Sequence, residues 1–330
     1  MKRYRYTPRR SDPPREPVTG LLPLAIPAAL IVGLIAIFVL LSGAGGDAAC
    51  QGSACDTLTV PDGEVGRTEA PTQRAVAQEG ATAPAIDGRA AFVLEDLCAA
   101  PLYEWNADLL LSPASLTKMM TALVAVENST PDEIVVSPID GGAYSLATDS
   151  TVMGLDFGEQ LTMRDMLHGL ILTSGNDAAI AIAEHIGGDE ETFVTMMNAK
   201  ASALGLASTH FTNPHGLDDP NLYTSAHDIA LIGHELLEND MLAEVAATQT
   251  YQPDWGKGPI ENKNIFLSFY PGAIGLKTGY TDEAGQTIVA AATQNGRTLI
   301  VSVLNSEEMF VDAAALLDWA FAETAPACAG

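Results

Sequence analysis

Ser115 and Lys118 stand three positions apart in Ser115-Leu116-Thr117-Lys118, the spacing that puts a hydroxyl and an amine on one face of a helix. A serine is inert at its own pKa and becomes a nucleophile only beside a base. A lysine can be that base when burial and a neighbouring cation both disfavour its ammonium form. Further along, Ser174-Gly175-Asn176 adds a second hydroxyl and a carboxamide, and Lys277-Thr278-Gly279 adds a second cation, a third hydroxyl and a glycine. Together these groups can build an acyl-transfer site around a serine nucleophile. Each motif alone is weak, but the set is selective. The chain has six lysines, of which only Lys118 has a serine three residues before it, and S-x-N and K-T-G each occur once.

The elements that must position these groups are legible from pattern. Residues 113–127 read as a helix, with Pro113 at its first turn and Met119, Ala122, Leu123 and Val126 at helical spacing. The flanks of Lys118 are almost all apolar, and an unpaired lysine buried there is costly unless it has a role. Ser174 and Asn176 fall on a connection between helices expected at 163–172 and 177–186, and further helices are expected at 191–204, 225–238 and 311–321. Alternation along a strand at 274–279 sends Lys277 and Gly279 to one face. Other strands are expected at 90–95, 102–105, 286–292 and 298–304. Strands at both ends with helices between them imply an α+β fold, an antiparallel sheet flanked by helices plus an all-helical lobe, with the site in the seam.

The three motifs, together with Pro113-Ala114-Ser115-Leu116-Thr117-Lys118-Met119-Met120-Thr121-Ala122, Ser174-Gly175-Asn176-Asp177-Ala178-Ala179, Asn213-Pro214-His215-Gly216-Leu217 and Lys277-Thr278-Gly279-Tyr280-Thr281-Asp282, resemble the serine D-alanyl-D-alanine carboxypeptidases. These are low-molecular-mass penicillin-binding proteins of the β-lactamase/transpeptidase-like superfamily, and the resemblance covers roughly residues 88–322. It implies that Ser115 is the nucleophile, Lys118 its base and Ser174 a relay toward the leaving amine. It further implies that Asn176 holds the substrate amide and Lys118, that Lys277 and Thr278 receive the terminal carboxylate, and that Gly279 leaves room for substrate along the strand. The backbone N–H groups of Ser115 and Tyr280 would form the oxyanion hole. Peptidoglycan stem peptides ending in D-Ala-D-Ala are the implied substrates and β-lactam antibiotics the implied covalent inhibitors, with no cofactor. A D,D-endopeptidase is the alternative within the class. A β-lactamase fits less well, because no Glu-x-x-Leu-Asn follows Ser174 and Gly175 stands where class A enzymes carry Asp. A non-catalytic wall-binding scaffold has no use for an intact Ser115, Lys118, Ser174 and Lys277.

The rest of the chain sets the context. The uncharged stretch from Leu21 to Leu41 spans about 31 Å as a helix, enough to cross a bilayer core. Six basic residues precede it against two acidic ones, so the N-terminal tail, residues 1–20, is expected in the cytoplasm and everything after residue 42 outside. Cleavage as a signal peptide is the competing outcome, given the small residues after Leu41. Of the 16 basic and 42 acidic residues, 10 and 40 lie beyond residue 20, a net charge of −30 that excludes nucleic acid as a partner. Residues 43–87, rich in Ala, Gly, Pro, Thr and acidic residues, read as a flexible tether before a catalytic domain at 88–330. Four cysteines permit three pairings, of which we favour Cys50 with Cys55 and Cys98 with Cys328; Asp47 argues against a lipidated Cys50.

Two patterns mislead. His234-Glu235-Leu236-Leu237-Glu238 opens like a zinc-protease helix but has Glu238 where the second histidine belongs, so no metal site is expected. His215, between Pro214 and Gly216, reads as part of a structural turn rather than a triad base. With 51 residues after Gly279, the C-terminal β-domain and membrane-binding helix of some relatives are expected to be absent. No arginine other than Arg297 presents itself for the substrate carboxylate.

Overall fold

The apolar runs of the first and last strands become the two faces of one sheet. The computed structural model describes residues 73–76 and 81–328. In chain order it comprises β1 (Gln73–Ala75), β2 (Ala90–Glu95), β3 (Ala100–Trp105), α1 (Thr117–Asn128), β4 (Ile134–Val136), α2 (Gly141–Thr148), β5 (Gln160–Thr162), α3 (Met163–Leu172), α4 (Asn176–Gly187) and α5 (Glu190–Ala203). There follow α6 (Ala226–Leu237), α7 (Asp240–Ala247), β6 (Thr250–Tyr251), β7 (Ile260–Glu261), α8 (Phe266–Phe269), β8 (Ala273–Thr281), β9 (Gly285–Gln294), β10 (Arg297–Ser306) and α9 (Met309–Glu323). Six strands form an antiparallel sheet in the order β1-β3-β2-β10-β9-β8, so β8 lies at an edge with only β9 beside it.

Strand alternation sorts the core into two clusters. Ala90, Phe92 and Leu94 of β2, Val289 and Ala291 of β9 and Ile300 of β10 pack against the helical lobe, with Met119, Leu170 and Ile229. Ala91 and Val93, Ile288 and Ala290, and Leu299 and Val301 face the other way, against Leu316, Leu317 and Ala320 of α9. Because both faces are covered, the central strands are uninterrupted apolar runs. Each buried Leu or Ile contributes about 1.5–3 kcal/mol. Truncating fully buried Leu316 to Ala is expected to cost about 2–5 kcal/mol and to loosen α9 from the sheet.

The helices and main strands expected from pattern all form, with ends shifted by no more than two residues except at the first helix, where α1 begins at Thr117 after the turn at Ala114–Leu116. Helix α3 starts at a capping box in which Thr162 and Asp165 bond each other's backbone N–H groups. Helices α2, α7 and α8 and the short ladders β4–β5 and β6–β7 were not expected. Residues 73–75 lie inside the stretch read as a tether, yet β1 pairs with β3 at Gln73↔Trp105, Arg74↔Glu104 and Ala75↔Tyr103, so the sheet recruits chain from before residue 88. Cys98 and Cys328 form a disulfide across a sequence separation of 230, as read from the sequence, while Cys50 and Cys55 lie outside the described residues. The stretch from Leu21 to Leu41 also lies outside them; among the described residues no helix is long and apolar enough to cross a membrane.

Candidate active site

Ser115 sits on a turn, not inside a helix. Ala114–Leu116 form one 3-10 turn that runs directly into α1, so the expected helix at 113–127 has its first turn tightened around Ser115. Ala114 has φ of 49°, a left-handed conformation that costs an L-residue roughly 1–2 kcal/mol and that the surroundings must enforce. They do so from two sides. Thr287 Oγ1 on β9 donates to Pro113 O at 3.3 Å. The loop at Gly216, itself at φ +88°, comes so near that a Cβ there would lie 1.9 Å from Ala114 O. Asn213 shapes this loop: its Oδ1 accepts from Gly216 N at 2.6 Å and His215 N at 3.3 Å, and its Nδ2 donates to Leu217 O at 2.9 Å.

Lys118 is completely buried on α1, with Nζ 3.0 Å from Ser115 Oγ and 2.5 Å from His215 O. Burial pushes its pKa well below the ordinary lysine value, Lys277 and Lys263 push it the same way, and Asp177 opposes them. The neutral amine is thereby favoured, the form a general base requires. His215 supplies its carbonyl rather than its ring: Leu217 N donates to Nδ1 at 3.2 Å, and burial followed by the Lys118 charge holds the ring pKa at about 3, so it stays neutral. The reading of His215 as a structural turn is correct, but its carbonyl as the second acceptor for Lys118 was not foreseen.

Ser174 and Asn176 arrive from the junction of α3 and α4. Ser174 takes φ of 62°, another left-handed non-glycine residue, and Asn176 opens α4 with its N–H donating to Thr151 O at 2.8 Å. Neither the Ser174 hydroxyl nor the Asn176 carboxamide has a hydrogen-bond partner among the described residues, so both stay free for a ligand. The expected contact between Asn176 and Lys118 is not made, because Lys118 spends its hydrogen bonds on Ser115 and His215.

Edge strand β8 forms a wall. A Cβ at Gly279 would lie 2.9 Å from Ser115 N, so glycine there is what lets the strand approach the backbone of Ser115. The Tyr280 side chain is exposed and its hydroxyl donates to Asp282 at 3.1 Å. Lys277 is buried on the same strand, its Nζ donating to Thr278 O at 2.7 Å. Burial and then the charge of Lys263 lower its pKa to about 7. Thr278 is half-buried with no side-chain partner among the described residues.

Lys263 is the residue that sequence reasoning missed. It follows β7, its N–H donates to Leu172 O at 2.9 Å just ahead of Thr173 and Ser174, and burial lowers its pKa. Its ammonium has no ion-pair partner among the described residues. No spacing pattern marks it, so only the fold reveals it as a third cation. Arg297 is correspondingly removed from consideration. It binds Glu95, Thr324 and Ala325 at the far end of β10, five residues, or about 17 Å, from the Ser302 that lies two strands across from Lys277. In the zinc-like pattern, His234 Nδ1 bonds Asp96 Oδ1 at 2.9 Å, with exposed Glu238 nearby.

A serine hydrogen-bonded to a buried lysine, in the seam between an antiparallel sheet and a helical lobe with a K-T-G edge strand alongside, is the arrangement of penicillin-binding, transpeptidase-like folds. Comparisons with known proteins agree. The chain belongs to the D-alanyl-D-alanine carboxypeptidase family, peptidase S11, whose family model matches residues 77–308. It is 34% identical over 250 residues to the D-alanyl-D-alanine carboxypeptidase DacF of Bacillus subtilis, covering 72% of this chain and 63% of that protein. The chain thus spans just under two thirds of that relative. Among solved structures it is similar to a D-alanyl-D-alanine carboxypeptidase from Mycobacterium tuberculosis, with a TM-score of 0.71 and 33% identity over 78% of this chain and 99% of that one. The Streptomyces K15 DD-transpeptidase superposes with a TM-score of 0.70 at 31% identity, over 73% and 100% of the two chains.

Proposed function

We propose that this chain is a serine-type D-alanyl-D-alanine carboxypeptidase that trims peptidoglycan stem peptides through an acyl-enzyme on Ser115. The observation that carries the proposal is the 3.0 Å hydrogen bond between a fully buried lysine amine and the Ser115 hydroxyl. Neutral Lys118 takes the Oγ proton as Oγ attacks the carbonyl of the penultimate D-alanine. Negative charge that develops on that oxygen is received by the backbone N–H groups of Ser115 and Tyr280, the part that the family resemblance gives them. The proton passes by way of Ser174 to the departing D-alanine nitrogen, and water, deprotonated by Lys118, then releases the shortened peptide. The terminal carboxylate is met by Thr278 and by the charges of Lys277 and Lys263, so Lys263 takes the part for which the sequence offered no arginine. A penicillin enters as the same kind of acyl donor and leaves Ser115 blocked.

The anchor belongs to the same proposal: the uncharged run from Leu21 to Leu41 behind its basic tail places the domain on the outer face of the cell membrane, where its substrate lies. With a peptide ending in D-Ala-D-Ala, the full-length protein is expected to release one D-alanine per peptide, and Ser115→Ala to release none while melting at nearly the same temperature. Undiminished release by Ser115→Ala overturns the proposal. Protease added to intact cells is expected to degrade the domain and spare the tail before Leu21; recovery of the whole protein in the soluble fraction removes the anchor.

A further inference from the structure

Asp177 follows the S-G-N motif and is wholly buried without a lysine or arginine partner among the described residues. Its two oxygens are nevertheless saturated. Oδ1 accepts from Met153 N at 2.8 Å and from Ala178 N at 3.0 Å; Oδ2 accepts from Gly154 N and Leu155 N, both at 2.9 Å. Three of these four donors belong to the segment connecting α2 to β5, which is joined to the motif a second time by the bond from Asn176 N to Thr151 O. Room for the carboxylate is built in: a Cβ at Gly141 would fall 2.4 Å from Oδ2, and one at Gly175 would fall 2.9 Å from Oδ1. Four charge-assisted bonds from three consecutive amides and the first turn of α4 make this one of the most fully specified polar groups in the domain.

Two consequences follow for the site. The bonds fix the N-terminus of α4, and with it the left-handed turn at Ser174 and the direction of Asn176. Helix α4 packs against α1, which carries Lys118, and the charge of the carboxylate raises the Lys118 pKa against burial and the neighbouring lysines. The charged and titratable groups around Lys118 are Lys277 from β8, Lys263 from the segment after β7, His215 from the 213–217 loop and Asp177 from α4. Only Asp177 is negative.

We propose that Asp177 is a positioning residue for acylation: it locks the 151–155 segment to the Ser174–Asn176 turn, and its charge stabilises the ammonium that Lys118 becomes on taking the Ser115 proton. The inference rests on the acyl-enzyme reading, in which Lys118 is the base.

The test compares full-length wild type, Asp177→Asn and Gly141→Ala in detergent, measuring the rate of penicillin acylation across pH. Wild type must acylate on Ser115; if it does not, the functional reading fails before Asp177 is at issue. Asp177→Asn removes the charge and turns one acceptor into a donor facing amides, and acylation is expected to fall at least about 10-fold at neutral pH. Its acid limb should move to lower pH, because the anion that favoured the Lys118 ammonium is gone. A merely structural lesion that opens the pocket to water would relieve burial and move that limb to higher pH. Gly141→Ala pushes on the same carboxylate without removing its charge, so it should slow acylation similarly while its acid limb stays in place. An upward or absent shift in a folded Asp177→Asn overturns the electrostatic role. If Asp177→Asn shows no cooperative melt, Gly141→Ala decides: acylation at the wild-type rate overturns the positioning role as well.

Discussion

The two ends of the sheet use buried charge in opposite ways. At the far end of β10, Arg297 meets Glu95 at 3.1 Å, and the same guanidinium binds Thr324 and Ala325 while the Cys98–Cys328 bridge closes the corner. At the β8 edge, Lys118, Lys277 and Lys263 gather without a carboxylate bonded to any of them, in a chain carrying 42 acidic residues. The remaining described lysines, Lys200 and Lys257, both pair with glutamates. Charge matched by opposite charge fixes structure. Charge left unmatched, at the cost of depressed pKa values, is stored for a ligand or a proton transfer.

The unmatched edge depends most on Lys118. Lys118→Ala is expected to slow penicillin acylation by about 100- to 10,000-fold, the scale of a lost general base; acylation at the native rate in a stopped-flow assay removes Lys118 from the chemistry. Lys277→Gln should cut kcat/KM by about 100-fold for a peptide with a free terminal carboxylate and much less for an uncharged ester. Equal losses on both substrates would make Lys277 a support for geometry rather than a carboxylate reader.

Titration sharpens the contrast. Lys277, with its pKa lowered to about 7, is cationic below that pH and neutral above it. KM for the carboxylate peptide should therefore rise as pH increases through about 7, while KM for an uncharged ester stays flat. Lys263→Ala removes the neighbouring charge that depresses Lys277, so the rise should move to higher pH; a rise that stays in place would mean that the two lysines do not couple. The opposite end of the sheet should behave otherwise. Replacing Cys98 and Cys328 by Ala is expected to lower stability by about 2–5 kcal/mol, since the bridge closes a long loop, and to leave the acylation rate of the folded protein within about two-fold of wild type.

Much of this arrangement was legible before the fold, and the exceptions share a cause. Ser115, Lys118, Ser174, Asn176 and Lys277 announce themselves because their spacing is local. Lys263 lies between two asparagines with no pattern around it, and Asp177 looks like an ordinary first-turn acid of a helix, so their roles exist only after distant segments meet. The same holds for β1: Gln73-Arg74-Ala75 has no strand propensity and becomes a strand because the edge of β3 offers it a partner. Helix α2 opens with two glycines and reads as a loop, yet Asp140 caps it through Ala143 N at 2.8 Å.

In the proposed reaction Ser115 carries the acyl group. Intact-mass and peptide-level mass spectrometry of the full-length protein after brief exposure to penicillin tests it most directly. One adduct of the penicillin's mass is expected per chain, on the peptide containing Ser115 and absent from Ser115→Ala. An adduct located on another residue, or the same yield from the Ser115→Ala protein, would contradict it.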